Sequence, residues 1–340
     1  MKSRLFASVI LLSALVGIAL LSCESLAADK PIELKMNIQR FPPDSTFTKT
    51  ANHWAEMVRK ATEGKIEIKI FLETLAKGPD SFSAAQQGGI VDITQLVCSF
   101  ISPRVKGVAA LELPGAYPAD RFPEVAEKIR PVMSKIMDAQ GIKYLGVQYT
   151  DSALVVASRK KHYVKPEDMK GEKIRIPGMW MTKALEVWGA SPTMILPPEM
   201  YNAMQTGVVD ACGSILDLVA LLKLYEVGPY VTEWPNTTIA MMMFGMNKNK
   251  FNGLDKNYQE ILLKTAKEAE RFSFEYGVEK EKKTWDLISP NIKRRALTKE
   301  EVQVWMKSVL PVYKDARSYS GPEGNQLIDI FDEMMNRDTR

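Results

Sequence analysis

Histidine and cysteine, the side chains most used for metal binding and nucleophilic chemistry, are scarce: two histidines and three cysteines in 340 residues. His53 and His162 share no spacing that suits a metal or a catalytic pair, so both read as structural or solvated. Cys23, Cys98 and Cys212 are too few for a disulfide framework. Cys98 and Cys212 are able to pair in an oxidising compartment, but the favoured reading is two buried free thiols. There is no Walker-type phosphate loop, no Gly-x-Ser-x-Gly elbow and no Cys-x-x-Cys. Nor do the acidic residues single out an acid/base pair. The expectation is a non-enzyme without cofactor or metal. The formal net charge is only +4, which argues against nucleic acid or a membrane-surface patch.

Long apolar runs are absent after the first 27 residues, so no further stretch reaches membrane length. Those 27 read as a targeting segment, with Lys2 and Arg4 ahead of the apolar stretch Leu5 to Leu21. Two cleavage sites compete. Ser25-Leu26-Ala27 suits a cut before Ala28, whereas Leu20-Leu21-Ser22-Cys23 is similar to a lipobox that leaves a lipidated Cys23. Losing Lys2 and Arg4 lowers +4 to +2, and losing Glu24 as well brings it to +3. Either way an exported, periplasmic protein of about 310 residues is expected, enough for two lobes with their own cores.

What is present reads as α/β. Ile32 to Asn37 alternates like a strand, Ser45 to Thr62 like a helix with Trp54, Met57 and Val58 on one face, and Ile66 to Phe71 like a second strand. This rhythm predicts a mostly parallel sheet. Ile90 to Val97 reads as a strand, Leu216 to Leu224 as an apolar helix, and Asp255 to Asp286 as a long surface helix. Thr298-Lys299-Glu300-Glu301 is a capping box before Val302 to Val309, and Met241 to Phe244 reads as a buried strand. Ala85-Gln86-Gln87-Gly88-Gly89-Ile90-Val91-Asp92 and Ala203-Met204-Gln205-Thr206-Gly207-Val208-Val209-Asp210 agree at five of eight positions. Both read as a helix end, a glycine cap and a strand entry, which suggests two lobes of similar build.

One arginine stands out. Lys173 to Ile176 reads as a short strand stopped by Pro177-Gly178, which places Arg175 near its carboxyl end, where open α/β sheets bind small ligands. A guanidinium there suits a carboxylate, although on local sequence alone an exposed edge-strand arginine is the simpler reading. The helix from Trp180 to Trp188 opens just beyond, and its free N–H groups also favour an anion. Trp180, between Met179 and Met181, is expected on an open wall of that site. Phe41 and Trp234, the latter near a lobe crossing, are further candidates for the ligand pocket.

Three segments resemble one family in order. They are Pro166 to Pro177; Gly189-Ala190-Ser191-Pro192-Thr193 followed by Glu199-Met200-Tyr201 and Gln205 to Asp210; and Leu224-Tyr225-Glu226-Val227. With Thr62-Glu63-Gly64 and Gly89 to Asp92, they make the chain similar over nearly its whole length to solute-binding proteins of TRAP (tripartite ATP-independent periplasmic) transporters, DctP type. The resemblance implies a two-lobed α/β fold with a cleft that closes on a small organic acid, and delivery to membrane permease subunits. It implies that Arg175 holds the carboxylate. The expected lobes are 28–145 plus 240–280 and 146–239 plus 281–340. Two departures bear on the ligand. A Gly-x-Arg element is replaced by Gly146-Val147-Gln148, and Gly-Gln-Glu-Asn-Pro by Ala211-Cys212-Gly213-Ser214-Ile215. With Gln148 and Ser214 beside it, Arg175 is expected to hold one acid group alone, because burying a second, unpaired carboxylate is costly. The expected ligand is a monocarboxylate with an apolar or aromatic body; a C4-dicarboxylate binder and an extracytoplasmic sensing module are the alternatives.

Overall fold

The computed structural model describes residues 30–150, 152–235, 237 and 241–339. Both candidate cleavage sites, with Cys23, lie outside these residues. The residues from Glu33 onward form one compact unit.

The chain opens with β1 (Ile32–Ile38), α1 (Thr46–Ala61), β2 (Ile66–Leu72), α2 (Asp80–Gln87), β3 (Ile93–Val97), α3 (Phe122–Asp138) and β4 (Ile142–Gln148). Ser45 caps α1 by accepting the Thr48 N–H, and Phe47, Ala51, Trp54 and Val58 bury its apolar stripe. A second run follows: β5 (Ala153–Ser158), β6 (Lys173–Arg175), α4 (Met179–Val187), β7 (Ser191–Pro192), α5 (Met200–Thr206), β8 (Ala211–Ser214), α6 (Leu216–Leu221) and β9 (Tyr230–Pro235). The chain then returns through β10 (Met242–Asn247), α7 (Lys256–Ile288), β11 (Lys293–Ala296), α8 (Lys299–Ser308) and α9 (Leu310–Met335).

These strands make two sheets, ordered β2-β1-β3-β10-β4 and β11-β9-β5-β8-β6-β7. They are mixed rather than mostly parallel. β1 and β6 run parallel to β3 and β8, as strand-helix-strand units require. β10 is antiparallel to β3 and β4, and β5 to β8 and β9. The reason is topological: β5 and β10 arrive directly from the other sheet, so no helical crossover sets their direction.

The sequence echo is a structural one. Asp92 donates its backbone N–H to Lys35 O at 3.0 Å and accepts the Lys35 N–H on its carboxylate at 2.8 Å. Asp210 repeats both contacts with Lys173, at 2.7 and 3.0 Å. β3 starts only at Ile93, because Gly88 and Gly89 turn the chain at positive φ and leave Ile90 outside.

Two elements depart from expectation. α7 is not a surface helix: it packs on α1, β4 and α3 and also on α6, burying Leu262, Ala266, Glu270, Ser273 and Gly277. Its polar side chains grip the first crossing. Ser273 Oγ accepts the Tyr149 N–H at 3.0 Å, and Glu281 accepts Tyr149 Oη and the Ser152 N–H, both at 2.7 Å. α9, kinked at Gly321 (φ 70°) ahead of Pro322, packs on the 3-10 segment Lys106–Glu112 and on α3. Tyr313 Oη donates to Pro114 O at 2.7 Å. The tail therefore lies against elements attached to the first sheet, whereas the expected division places it with the second. Gln148 likewise ends a strand of the first sheet.

Strand alternation divides the second sheet. Leu154, Val156, Ile174, Ala211 and Trp234 join a core continuous with that of the first sheet. Val155, Ala157, Cys212 and Val231 pack on the other face with Met200, Met204 and Leu216.

Candidate functional site

Arg175 ends β6, beside Cys212 in register. It is buried, at 5% exposure. Its Nε donates to Ile195 O at 2.9 Å and its Nη1 to Gly213 O at 3.3 Å. Among the described residues no carboxylate forms an ion pair with it. Desolvation lowers its pKa from the ordinary value. Burial also pushes the Cys212 thiol up to about 12, with the neighbouring guanidinium pulling the other way. Two carbonyls thus orient a cation whose charge nothing in the described chain neutralises. That is an unfavourable state which an anion relieves. Ser214, buried two residues beyond Cys212, shares Arg175's face of the sheet.

Gln148 is fully buried at the end of β4. Its Oε1 accepts from Gln95 Nε2 at 2.6 Å, and its Nε2 donates to Phe47 O at 3.4 Å. Phe47 packs on Phe41, ring centroids 4.7 Å apart. Phe41 in turn lines a cavity of about 170 Å³. Pro42, Asp44 and Ser45 line it from the α1 approach, Asp217, Ala220 and Leu221 from α6, and Lys280, Thr284 and Leu287 from α7. Lys280 pairs with Asp44, and Tyr276 Oη donates to Asp44 O at 2.8 Å. Burial raises the pKa of Asp217, and the Lys280 charge opposes this.

Trp180 and Trp234 fall elsewhere. Trp180 is not on an open wall: at 1% exposure it donates from Nε1 to Ala109 O at 3.0 Å and meets Tyr319 edge-on. The inward face of α4 comprises Trp180, Met181, Ala184 and Leu185, which carries the ring into the core on the Ile174 side. Trp234 stands on that same face, its ring centroid 4.4 Å from that of Trp305 and 5.7 Å from that of Trp188. Its Nε1 has no hydrogen-bond partner among the described residues. The structure thus groups Arg175 with Ser214 and Gln148 with Phe41, and sets both tryptophans behind the sheet from Arg175.

Sequence reasoning missed the carbonyls of Ile195 and Gly213, which leave no side-chain signal. It also missed Gln95, which had one: an amide inside the apolar strand Ile93–Val97 needs a partner. The two remaining cysteines, Cys98 and Cys212, are free and buried, as read. His53 stacks on Phe272 at 4.0 Å, and His162 lies 3.4 Å from Thr232 Oγ1.

Known proteins share this architecture. A C4-dicarboxylate-binding periplasmic protein of Rhodobacter capsulatus is 25% identical over 322 residues, 92% of this chain and 95% of that protein. The 2,3-diketo-L-gulonate-binding periplasmic protein of Escherichia coli is 23% identical over 321 residues, 93% of this chain and 91% of its own length. A TRAP periplasmic solute-binding protein of Ralstonia eutropha, solved with bound (S)-2-acetolactate, superposes with a TM-score of 0.77 at 24% identity. The match covers 89% of this chain and 98% of that one. Residues 38–319 match the family of bacterial extracellular solute-binding proteins, family 7. The two-sheet α/β fold and these matches agree: the chain belongs to the DctP family of bacterial extracellular solute-binding proteins.

Proposed function

We propose that this receptor captures a monocarboxylate with an apolar or aromatic body and delivers it to the membrane permease subunits of a TRAP transporter. The supporting observation is Arg175, buried and oriented by Ile195 O and Gly213 O without a carboxylate partner among the described residues. One ligand carboxylate supplies that partner. The other candidate contacts, Ser214 and Gln148, are neutral, so a second carboxylate on the ligand finds no cation among them. Phe41, Pro42 and Leu221 offer the body an apolar surface. Trp180 and Trp234 serve as walls that hold the sheet in place rather than as direct contacts.

A thermal-shift screen of monocarboxylates, dicarboxylates and sugar acids tests this reading. Monocarboxylates with apolar bodies are expected to stabilise the protein; stabilisation by dicarboxylates or sugar acids alone overturns it. Arg175→Ala is expected to cost roughly 2–5 kcal/mol of binding, because it removes one partner of a desolvated charge pair. Unchanged affinity in calorimetry removes Arg175 from the site.

A further inference from the structure

Helix α7 passes from one sheet to the other within about two turns. At Gly277 it still lies against the first, where a Cβ would meet the Tyr149 ring and Thr46 of α1. At Trp285 and Ile288 it is buried in the cluster of the second, with Val155, Cys212 and Leu216. The polar side chains between these points face different partners. Glu281 accepts Tyr149 Oη and the Ser152 N–H, both at 2.7 Å, and so holds the crossing itself. Lys280 pairs with Asp44, just ahead of α1, and Tyr276 Oη fastens the same residue through its carbonyl at 2.8 Å. Thr284 Oγ1 donates to Asp217 of α6 at 3.4 Å. Lys280 and Thr284, four residues apart, share one helix face, and both line the cavity between the Phe41–Ser45 segment and α6. Asp217 lines it too. This acid has the long Thr284 bond and no ion pair among the described residues, and Lys280 is the one cation among the residues lining its cavity.

We propose that Lys280 is a positioning residue for closure: anchored to the first lobe by Asp44, it is the charge onto which Asp217 of the second lobe shuts, so that the Lys280–Asp217 pair holds the cleft closed. The inference rests on a cleft that closes between the lobes and not on which acid occupies it. Because α7 is packed at both ends, movement of one lobe against the other is taken up in the turns between Gly277 and Trp285. A swing of α6 toward Phe41 narrows the cavity and carries Asp217 to Lys280. The opposite swing leaves Asp217 with Thr284 alone. Water leaves a narrowing cavity, so the attraction strengthens as the pair forms.

The test compares the native protein with Lys280→Met, Lys280→Arg and Asp217→Asn, by small-angle scattering without and with 3-phenylpropionate and by stopped-flow release of that probe. Lys280→Met removes the charge and keeps the length; Asp217→Asn keeps the Thr284 bond and carries the same test should Lys280→Met fail to fold. Both are expected to give a larger radius of gyration than the native protein with the probe bound, and to release it about three- to tenfold faster with association little changed. Lys280→Arg is expected to restore both values, and the Lys280→Met/Asp217→Asn double variant to be no worse than either single one. Sodium chloride at high concentration should open the native protein but not the variants. Native radii and release rates in both single variants, or additive effects in the double one, overturn the role of Lys280 while the carboxylate anchor stands. If 3-phenylpropionate does not bind the native protein, the monocarboxylate reading falls on its own. The ligand-free scattering then decides for Lys280: a larger radius in the variants supports its role, and equal radii overturn it.

Discussion

A charge buried without a partner costs the fold stability, and the chain carries such charges only at particular places. Arg175 is one. Glu112, at the end of the 3-10 segment beneath α9, is another buried group whose protonation matters. Burial pushes its carboxyl up to about 7 from the ordinary 4.5, and neither of its oxygens has a hydrogen-bond partner among the described residues. Between 4.5 and about 7 the folded chain therefore holds a proton that the unfolded chain releases. This contribution to stability is fully present below 4.5 and is lost as pH rises through about 7. Glu112→Gln keeps the shape and abolishes the titration. Urea unfolding at pH 4.5 and 7 should show the native protein losing about 3 kcal/mol more than the variant over that interval. Parallel pH profiles for the two proteins would remove Glu112 from this role.

At the scale of the element, α7 illustrates how a helix is shaped by what it touches. Glycine inside a helix costs about 1 kcal/mol relative to alanine, so Gly277 looks replaceable in the sequence. Yet a Cβ there would lie 2.4 Å from the ring of Tyr149, closer than side-chain atoms approach. Gly277→Ala is therefore expected to lower stability by roughly 1–3 kcal/mol through overpacking, opposite in sign to its helix propensity. A raised melting temperature would show that Tyr149 moves aside at no cost. The same helix eluded a reading from charge pattern, because its buried positions include Glu270, Ser273 and Gly277. Glu270 is buried because it pairs with Arg130 and accepts the Val147 N–H at 2.8 Å. Such positions appear solvated until their partners, more than 100 residues away in sequence, are known.

At the scale of the whole molecule, one apolar cluster runs from Leu96 and Val147 of the first sheet, through the residues under α9, to Ile174 and Trp234 of the second. The lobes share a core on that side, and α7 packs against elements of both. Thermal unfolding is therefore expected to be a single cooperative transition, with the calorimetric enthalpy equal to the van't Hoff enthalpy. Two resolved transitions would contradict the shared core. A ligand at 100 times its dissociation constant should add about 2.7 kcal/mol to the stability of that one transition.

Local chemistry determined much of this protein from sequence alone. Alternation and glycine caps marked the strand entries at Val91-Asp92 and Val209-Asp210. Pro177 and Gly178 ended the strand that carries Arg175, and the segments around it marked the family. These signals are legible because they depend on neighbours in the chain. Tertiary structure decided the rest. It turned Trp180 inward through the face that α4 presents to the Ala109 carbonyl, and it drew α9 back to the first sheet. It oriented Arg175 with two backbone carbonyls and buried Gln148 against Gln95. Such partners are set by which faces meet across the fold, and a main-chain carbonyl or a buried amide bears no sequence mark of what will meet it.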